Sequence, residues 1–231
     1  MSLLLPSFSS ISKESRWAVN WSIVAICTSI ILLILQSYES FQFLFTNMID
    51  NVILDLEGYL GLLFSVLGFI ATIVILIWFY RANKNIHAFG AKEVSSPRMA
   101  VIWWFIPILF LWKPYRVASE IYHASDPQIV LSSGNEWKNS SSDIIKLWWV
   151  LGLLSLFAYY YATFYWNWNG GEDYYLYSGQ PVDLTSVYRI AFYANFAYIS
   201  SNILFIISTI YFIRIIKQVS AWQEIKAGRS I

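Results

Sequence analysis

Charge is what this chain has least of. Charged residues fill 13% of its 231 positions, against about 25% in a typical soluble domain, while 58% are hydrophobic and 19% aromatic. That balance excludes an ordinary water-soluble domain and makes a bilayer the natural solvent. Cysteine occurs once, at Cys27 in an apolar run, so there is no intrachain disulfide and no CxxC metal or redox pair. A free thiol in such a run reads as packing. The formal net charge is only +1, so no bulk basic field exists to gather nucleic acid, which is excluded as a partner. The chain has no HExxH, GxSxG, P-loop or GxGxxG. Histidine occurs twice, at His87 and His123. Glu120 and His123 share the spacing of half a helical di-iron site, but no second Glu-x-x-His exists. A metal needs three or four such ligands, so neither metal nor cofactor is expected.

What is present is length in apolar runs. Residues 17–36, 59–80, 147–166 and 187–213 each reach the roughly 20 residues that a spanning helix requires. Their ends carry interfacial aromatics such as Trp17, Trp21, Trp78, Tyr80, Trp148, Trp149 and Trp166. The prediction is an all-α polytopic membrane protein, one integral domain with four transmembrane helices. The chain begins MSLLLPSFSSISKESR, with an apolar patch before its charges, the reverse of a signal peptide. No cleaved leader is expected.

Charge position sets the orientation. The connections after the first and third spans carry Glu39, Asp50, Asp55 and Glu57, then Glu172, Asp173 and Asp183, with no basic residue in either. All but one of the 15 basic residues lie in residues 1–16, 81–146 and 214–231. By the positive-inside rule both termini and the central segment are cytoplasmic. The exception, Arg189, is expected to snorkel or to pair with Asp183.

The central segment, residues 81–127, cannot then be a fifth crossing. Its apolar part, 99–112, has 14 residues interrupted by Pro107, short for a full span. A single crossing would also place Lys138 and Lys146 outside, against the charge rule. The segment is expected to be a re-entrant or interfacial pair of short helices. Ser96 caps the first with Pro97 at its first position, Pro107 disfavours helix at Ile106, Pro114 starts the second, and Asp126-Pro127 ends it. On the second helix Lys113, Arg116, Glu120, His123 and Asp126 share an arc opposite Val117, Ala118, Ile121 and Tyr122. This predicts a solvated charged face with an Arg116/Glu120 pair. The alternative is a face lining a vestibule that opens to the cytoplasm.

The stretches RANKNIHAFGA and SPRMAVIWWFIPILFLWKPYRVASEIYHASDP, with the later pair Trp148-Trp149, resemble the bacterial membrane proteins of the domain of unknown function 4328 family. The resemblance rests on Arg81, Asn85, Gly90, Pro97, Trp103, Trp104, Pro107, Pro114, Glu120 and the Ser125-Asp126-Pro127 ending, and covers roughly residues 60–215. It implies a polytopic membrane protein, with a bacterial cytoplasmic membrane as its location, and brings no activity.

Two stripes remain. Gly61, Ser65, Gly68 and Thr72 share one face of the second span and predict close helix approach. Asn195, Tyr198, Asn202 and Thr209 share a face of the last span and predict interhelical hydrogen bonds, with a solute path as the alternative. Residues 128–143 read as a polar linker, and Tyr174, Tyr175 and Tyr177 as an aromatic outer loop. The expected function is non-catalytic, the central segment binding membrane lipid or a protein partner, a second copy included. The alternatives are a small-solute or lipid transporter and an intramembrane enzyme. The candidate binding residues are Arg81, Asn85, Arg116, Glu120, His123, Asp126, Asn195 and Asn202.

Overall fold

A computed structural model describes residues 8–46, 51–131, 134–139, 142–168 and 184–228. The fold is all-α, with no strand among the described residues. Its helices are α1 (Ser12–Thr46), α2 (Asn51–Ala88), α3 (Pro97–Ile102), α4 (Lys113–Ser125), α5 (Asp143–Trp168) and α6 (Leu184–Lys226). Four of them, α1, α2, α5 and α6, are long and apolar enough to cross a membrane, as the four apolar runs predict. The chain is an integral membrane protein. Each of the four helices extends past its run, and α6 continues without a break to Lys226. The acidic stretch with Glu172, Asp173 and Asp183, the Arg189–Asp183 pairing and the tyrosine loop lie outside the described residues.

The described residues form two compact units. One draws on Met1–Val24, Gly68–Trp149 and Thr209–Ile231, the other on Ala25–Leu67 and Val150–Ser208.

The first unit is organised by aromatic rings. Trp78 and Phe79 are fully buried, and Phe79 packs edge-on to Trp104 at 5.3 Å and stacked on Phe212 at 6.0 Å. Trp148 stacks on Phe212 at 4.9 Å, and Trp104 meets Trp149 at 6.0 Å. These offset and edge-to-face arrangements are those the ring quadrupole favours. Two indoles also satisfy their N–H groups: Trp78 donates to Ser15 Oγ at 3.1 Å and Trp149 to the Leu111 carbonyl at 2.9 Å. Of the aromatics that mark span ends in the sequence, Trp78, Trp148 and Trp149 therefore pack inward, while Trp17 and Tyr80 are exposed.

Local chemistry explains the breaks. α2 stops at a Schellman turn in which Gly90 takes φ +92°, Ala91 N–H reaches Ile86 O and Gly90 N–H reaches His87 O, each at 3.0 Å. Ser96 caps α3, its Oγ accepting from Met99 N–H, with Pro97 in the first turn. Between α3 and α4 the backbone makes only two short 3-10 turns, Trp103–Phe105 and Leu109–Leu111. Ile106, before Pro107, is extended at φ −96°, ψ 108°. α4 begins beside Pro114 and ends before Asp126, whose Oδ1 accepts from Gln128 N–H.

The polar linker is partly docked. Lys92 N–H donates to Gly134 O at 2.8 Å, Trp137 Nε1 donates to Lys92 O at 3.1 Å, and Lys138 pairs with Glu93. Gly134 has φ +92°, and a Cβ there would lie 2.7 Å from both Gly90 O and Lys92 Cγ. Only glycine fits.

In the second unit the polar groups of α6 bond to neighbouring helices. Ser201 Oγ donates to Ser155 O at 2.9 Å, Tyr198 and Thr163 hydroxyls meet at 3.1 Å, and Asn202 Nδ2 donates to Gln36 Oε1 at 3.0 Å. This is the interhelical bonding expected of that stripe.

The small-residue stripe on α2 behaves otherwise. A Cβ on Gly61 or Gly68 would meet nothing within 4 Å, so none of the described residues packs there. Ser65 and Thr72 instead donate to Gly61 O and Gly68 O, one turn back on α2. The predicted close approach is thus not made among the described residues.

Candidate functional site

The central segment meets the Arg81 end of α2 and the last turns of α6 in the first unit, and hydrogen bonds fix that junction. Gln223, fully buried on α6, continues the buried face of Phe212, Ile215, Ile216 and Val219. Its Nε2 donates to Ala82 O on α2 at 3.0 Å and to Ser125 Oγ on α4 at 2.9 Å, while its Oε1 accepts from Asn85 Nδ2 at 2.8 Å. One amide therefore joins three helices. Asn85 is equally buried, and beyond Gln223 it brackets Ser9, donating to its carbonyl at 2.9 Å and accepting from its N–H at 3.2 Å. Lys226, one turn beyond Gln223 on α6, donates from Nζ to Ala124 O, Asp126 O and Ile129 O at 2.8–3.0 Å. A cation at carbonyls left open by a helix end is favourable twice over, through hydrogen bonding and through the helix dipole.

Glu120 corrects the expected wet face of α4. Its side chain is 0% exposed, whereas that of its partner Arg116 is 58% exposed. Arg116 Nε donates to Oε1 at 3.0 Å, and Ser95 N–H, from the turn before α3, donates to Oε2 at 2.8 Å. The carboxylate thus ties α4 to that turn. A helical wheel places Glu120 on one arc with Arg116 and His123 but cannot show a second element covering that side. His123 is buried too. Its Nδ1 lies 3.2 Å from Ser119 Oγ, and its Nε2 has no hydrogen-bond partner among the described residues. Burial holds its pKa below the ordinary histidine value, against the raising effects of Asp126 and the Ser119 bond.

The other candidates are dispersed. Arg81 Nε lies 3.8 Å from Glu14 Oε1 on α1, and Asp126 caps the end of α4. Asn202 and the half-buried Asn195 belong to the second unit, where Asn202 is bonded to Gln36 and to Tyr198 O. Asn85, Glu120 and Asn202 therefore spend their polar atoms inside the protein.

What faces outward is apolar with a basic border. Phe105 is 67% and Ile108 70% exposed, and Ile102, Leu111 and Trp112 are also exposed. Arg98 and Arg116 are exposed beside this run, and Lys113 sits 4.8 Å over the Trp103 ring. An open groove of about 490 Å3 lies between α2 and α3, walled by Ile73, Leu76, Ile77, Tyr80, Val101, Ile102 and Arg98. Sequence reading missed Gln223, Lys226 and Arg98. The signal for Gln223 was a lone amide on an otherwise apolar helical stripe.

No curated protein and no solved structure matches the chain. The family described as Domain of unknown function (DUF4328) matches residues 51–221, which take in α2, the whole central segment and most of α6, and the chain belongs to that family.

Proposed function

We propose that this protein is a non-catalytic component of the bacterial cytoplasmic membrane, with both termini inside, and that its central segment is a platform for membrane lipid. The observation that carries this reading is the exposed run of Ile102, Phe105, Ile108, Leu111 and Trp112 bordered by Arg98, Lys113 and Arg116. Apolar side chains that enter the acyl region, rimmed by cations at headgroup level, are the signature of an inner-leaflet contact. The self-satisfied Glu120 and Gln223 clusters support a rigid platform, because their polar atoms are already engaged. A solute path through α6 would need Asn202 and Ser201 free, and both are bonded to neighbours.

Native mass spectrometry of protein extracted in mild detergent tests the reading. Retained phospholipid that falls in a Phe105→Ser/Ile108→Ser variant is the expected result. A stoichiometric protein in place of lipid, or lipid retention unchanged in that variant, would overturn it. Orientation has its own test: single cysteines at positions 133 and 178 in a Cys27→Ser background should label from opposite sides of the membrane.

A further inference from the structure

We infer that the groove between α2 and α3 is a specific site for one anionic glycerophospholipid, an acyl chain lying in the groove and its phosphate held by Arg98 and Lys84. The inference rests on the lipid-platform reading and adds a place, a stoichiometry and a charge preference.

The sequence builds the groove from two helical faces. Ile73, Leu76, Ile77 and Tyr80 recur at i, i+3, i+4 and i+7, so they share one face of α2. Arg98, Val101 and Ile102 recur at i, i+3 and i+4 and share one face of α3. The walls are thus aliphatic, and the volume of about 490 Å3 lies within the roughly 300–1,000 Å3 of well-formed ligand sites. An open apolar trough of this size suits a flexible chain better than a compact polar solute.

Polarity enters at one end. α3 starts after the short turn that leaves the Arg81 end of α2, and Arg98 is in its first turn. Lys84 follows Tyr80 by four residues and therefore stands one turn, about 5.4 Å, further along the same face of α2. Both cations are exposed, and neither has an ion pair or hydrogen bond among the described residues. Three other basic groups of the first unit are paired: Arg81 faces Glu14, Arg116 holds Glu120 and Lys138 pairs with Glu93. Two unpaired cations at the mouth of an aliphatic trough complement a phosphate above an acyl chain. Guanidinium suits phosphate through its planar donor fork, and lysine adds a point charge. Tyr80, half exposed at the junction, is amphipathic in the way of interfacial tyrosines.

The test is native mass spectrometry in mild detergent, titrating the purified protein with phosphatidylglycerol and, separately, with phosphatidylcholine. The expected result is a first phosphatidylglycerol bound about ten- to thirty-fold more weakly by Arg98→Gln/Lys84→Gln than by the native chain, the worth of two basic residues near an anionic surface. An Arg214→Gln/Lys217→Gln variant removes the same charge from α6 and should bind as the native chain does. Val101→Trp, which fills the trough, should lose the first site for both lipids. Unchanged phosphatidylglycerol affinity in the Arg98/Lys84 variant, equal loss in the α6 control, or equal affinity of the native chain for the two lipids would each overturn the groove site. The platform reading survives any of these if Phe105→Ser/Ile108→Ser still sheds lipid, and fails with it if the native chain retains none.

Discussion

Replacing Gln223 by leucine should be among the most damaging single changes in the first unit, although the side chains differ little in size. The amide makes three buried contacts: Ala82 O, Ser125 Oγ and Asn85 Nδ2. Ala82 O lies in the interior of α2, where a helical carbonyl has its own backbone donor, so its loss is minor. Ser125 Oγ loses its donor, and Asn85 Nδ2 loses one of its two acceptors in a fully buried position. A buried polar group left without its partner costs about 1–3 kcal/mol, so two such groups give roughly 2–6 kcal/mol. Thermal unfolding in a fixed detergent, or denaturant titration in mixed micelles, would read this as a large drop in midpoint. The double variant Asn85→Leu/Gln223→Leu sharpens the test. Removing both partners leaves fewer orphaned groups, so its destabilisation should fall short of the sum of the single variants by about 1–3 kcal/mol. A Gln223→Leu protein within about 0.5 kcal/mol of the native chain, or strictly additive variants, would refute the three-helix junction.

Lys226→Met keeps most of the aliphatic stem and removes the donors to Ala124, Asp126 and Ile129 carbonyls; hydrogen exchange should accelerate at the end of α4 by the equivalent of roughly 1.5–3 kcal/mol, the worth of charge-assisted bonding. Gly134→Ala should release the docked 134–139 turn, since the new Cβ meets Gly90 O at 2.7 Å in a backbone conformation with φ +92°; left-handed backbone alone costs about 1–2 kcal/mol, and faster exchange at Trp137 with an unaltered α5 is the expected pattern. For His123, burial lowers the folded pKa, so the unfolded chain binds the proton first, near pH 6.5. Stability should be full above about pH 6.5, fall as pH drops from there to the lowered folded pKa, and level off below it. His123→Gln should flatten that slope, and an unchanged pH profile would remove the buried imidazole from the account.

Local chemistry in the central segment was legible from sequence because its signals act within a few residues. Ser96 with Pro97 and Ile106 before Pro107 each fix their own backbone, and the structure has a cap and an extended residue at those places. Glu120 shows where such reading stops. Its Arg116 pair at i, i+4 would look the same on a solvated face, and burial is decided by Ser95, 25 residues away in the chain. Asn85 and Gln223 are 138 residues apart, and no periodicity within either helix announces the other.

The stripe on α2 has no neighbour among the described residues for a different reason, one particular to membranes. In water an open row of Gly61, Ser65, Gly68 and Thr72 would invite a partner, because apolar exposure is unfavourable. In lipid that drive between helices is absent, and the remaining demand is that polar groups find partners. Ser65 and Thr72 meet it within α2 by donating to the carbonyls of Gly61 and Gly68 at 2.8 and 2.9 Å. A small-residue stripe whose hydroxyls are satisfied by their own helix can stand against acyl chains without a neighbour. Spacing therefore states that a helix could approach, and the hydroxyl bonding decides whether one must.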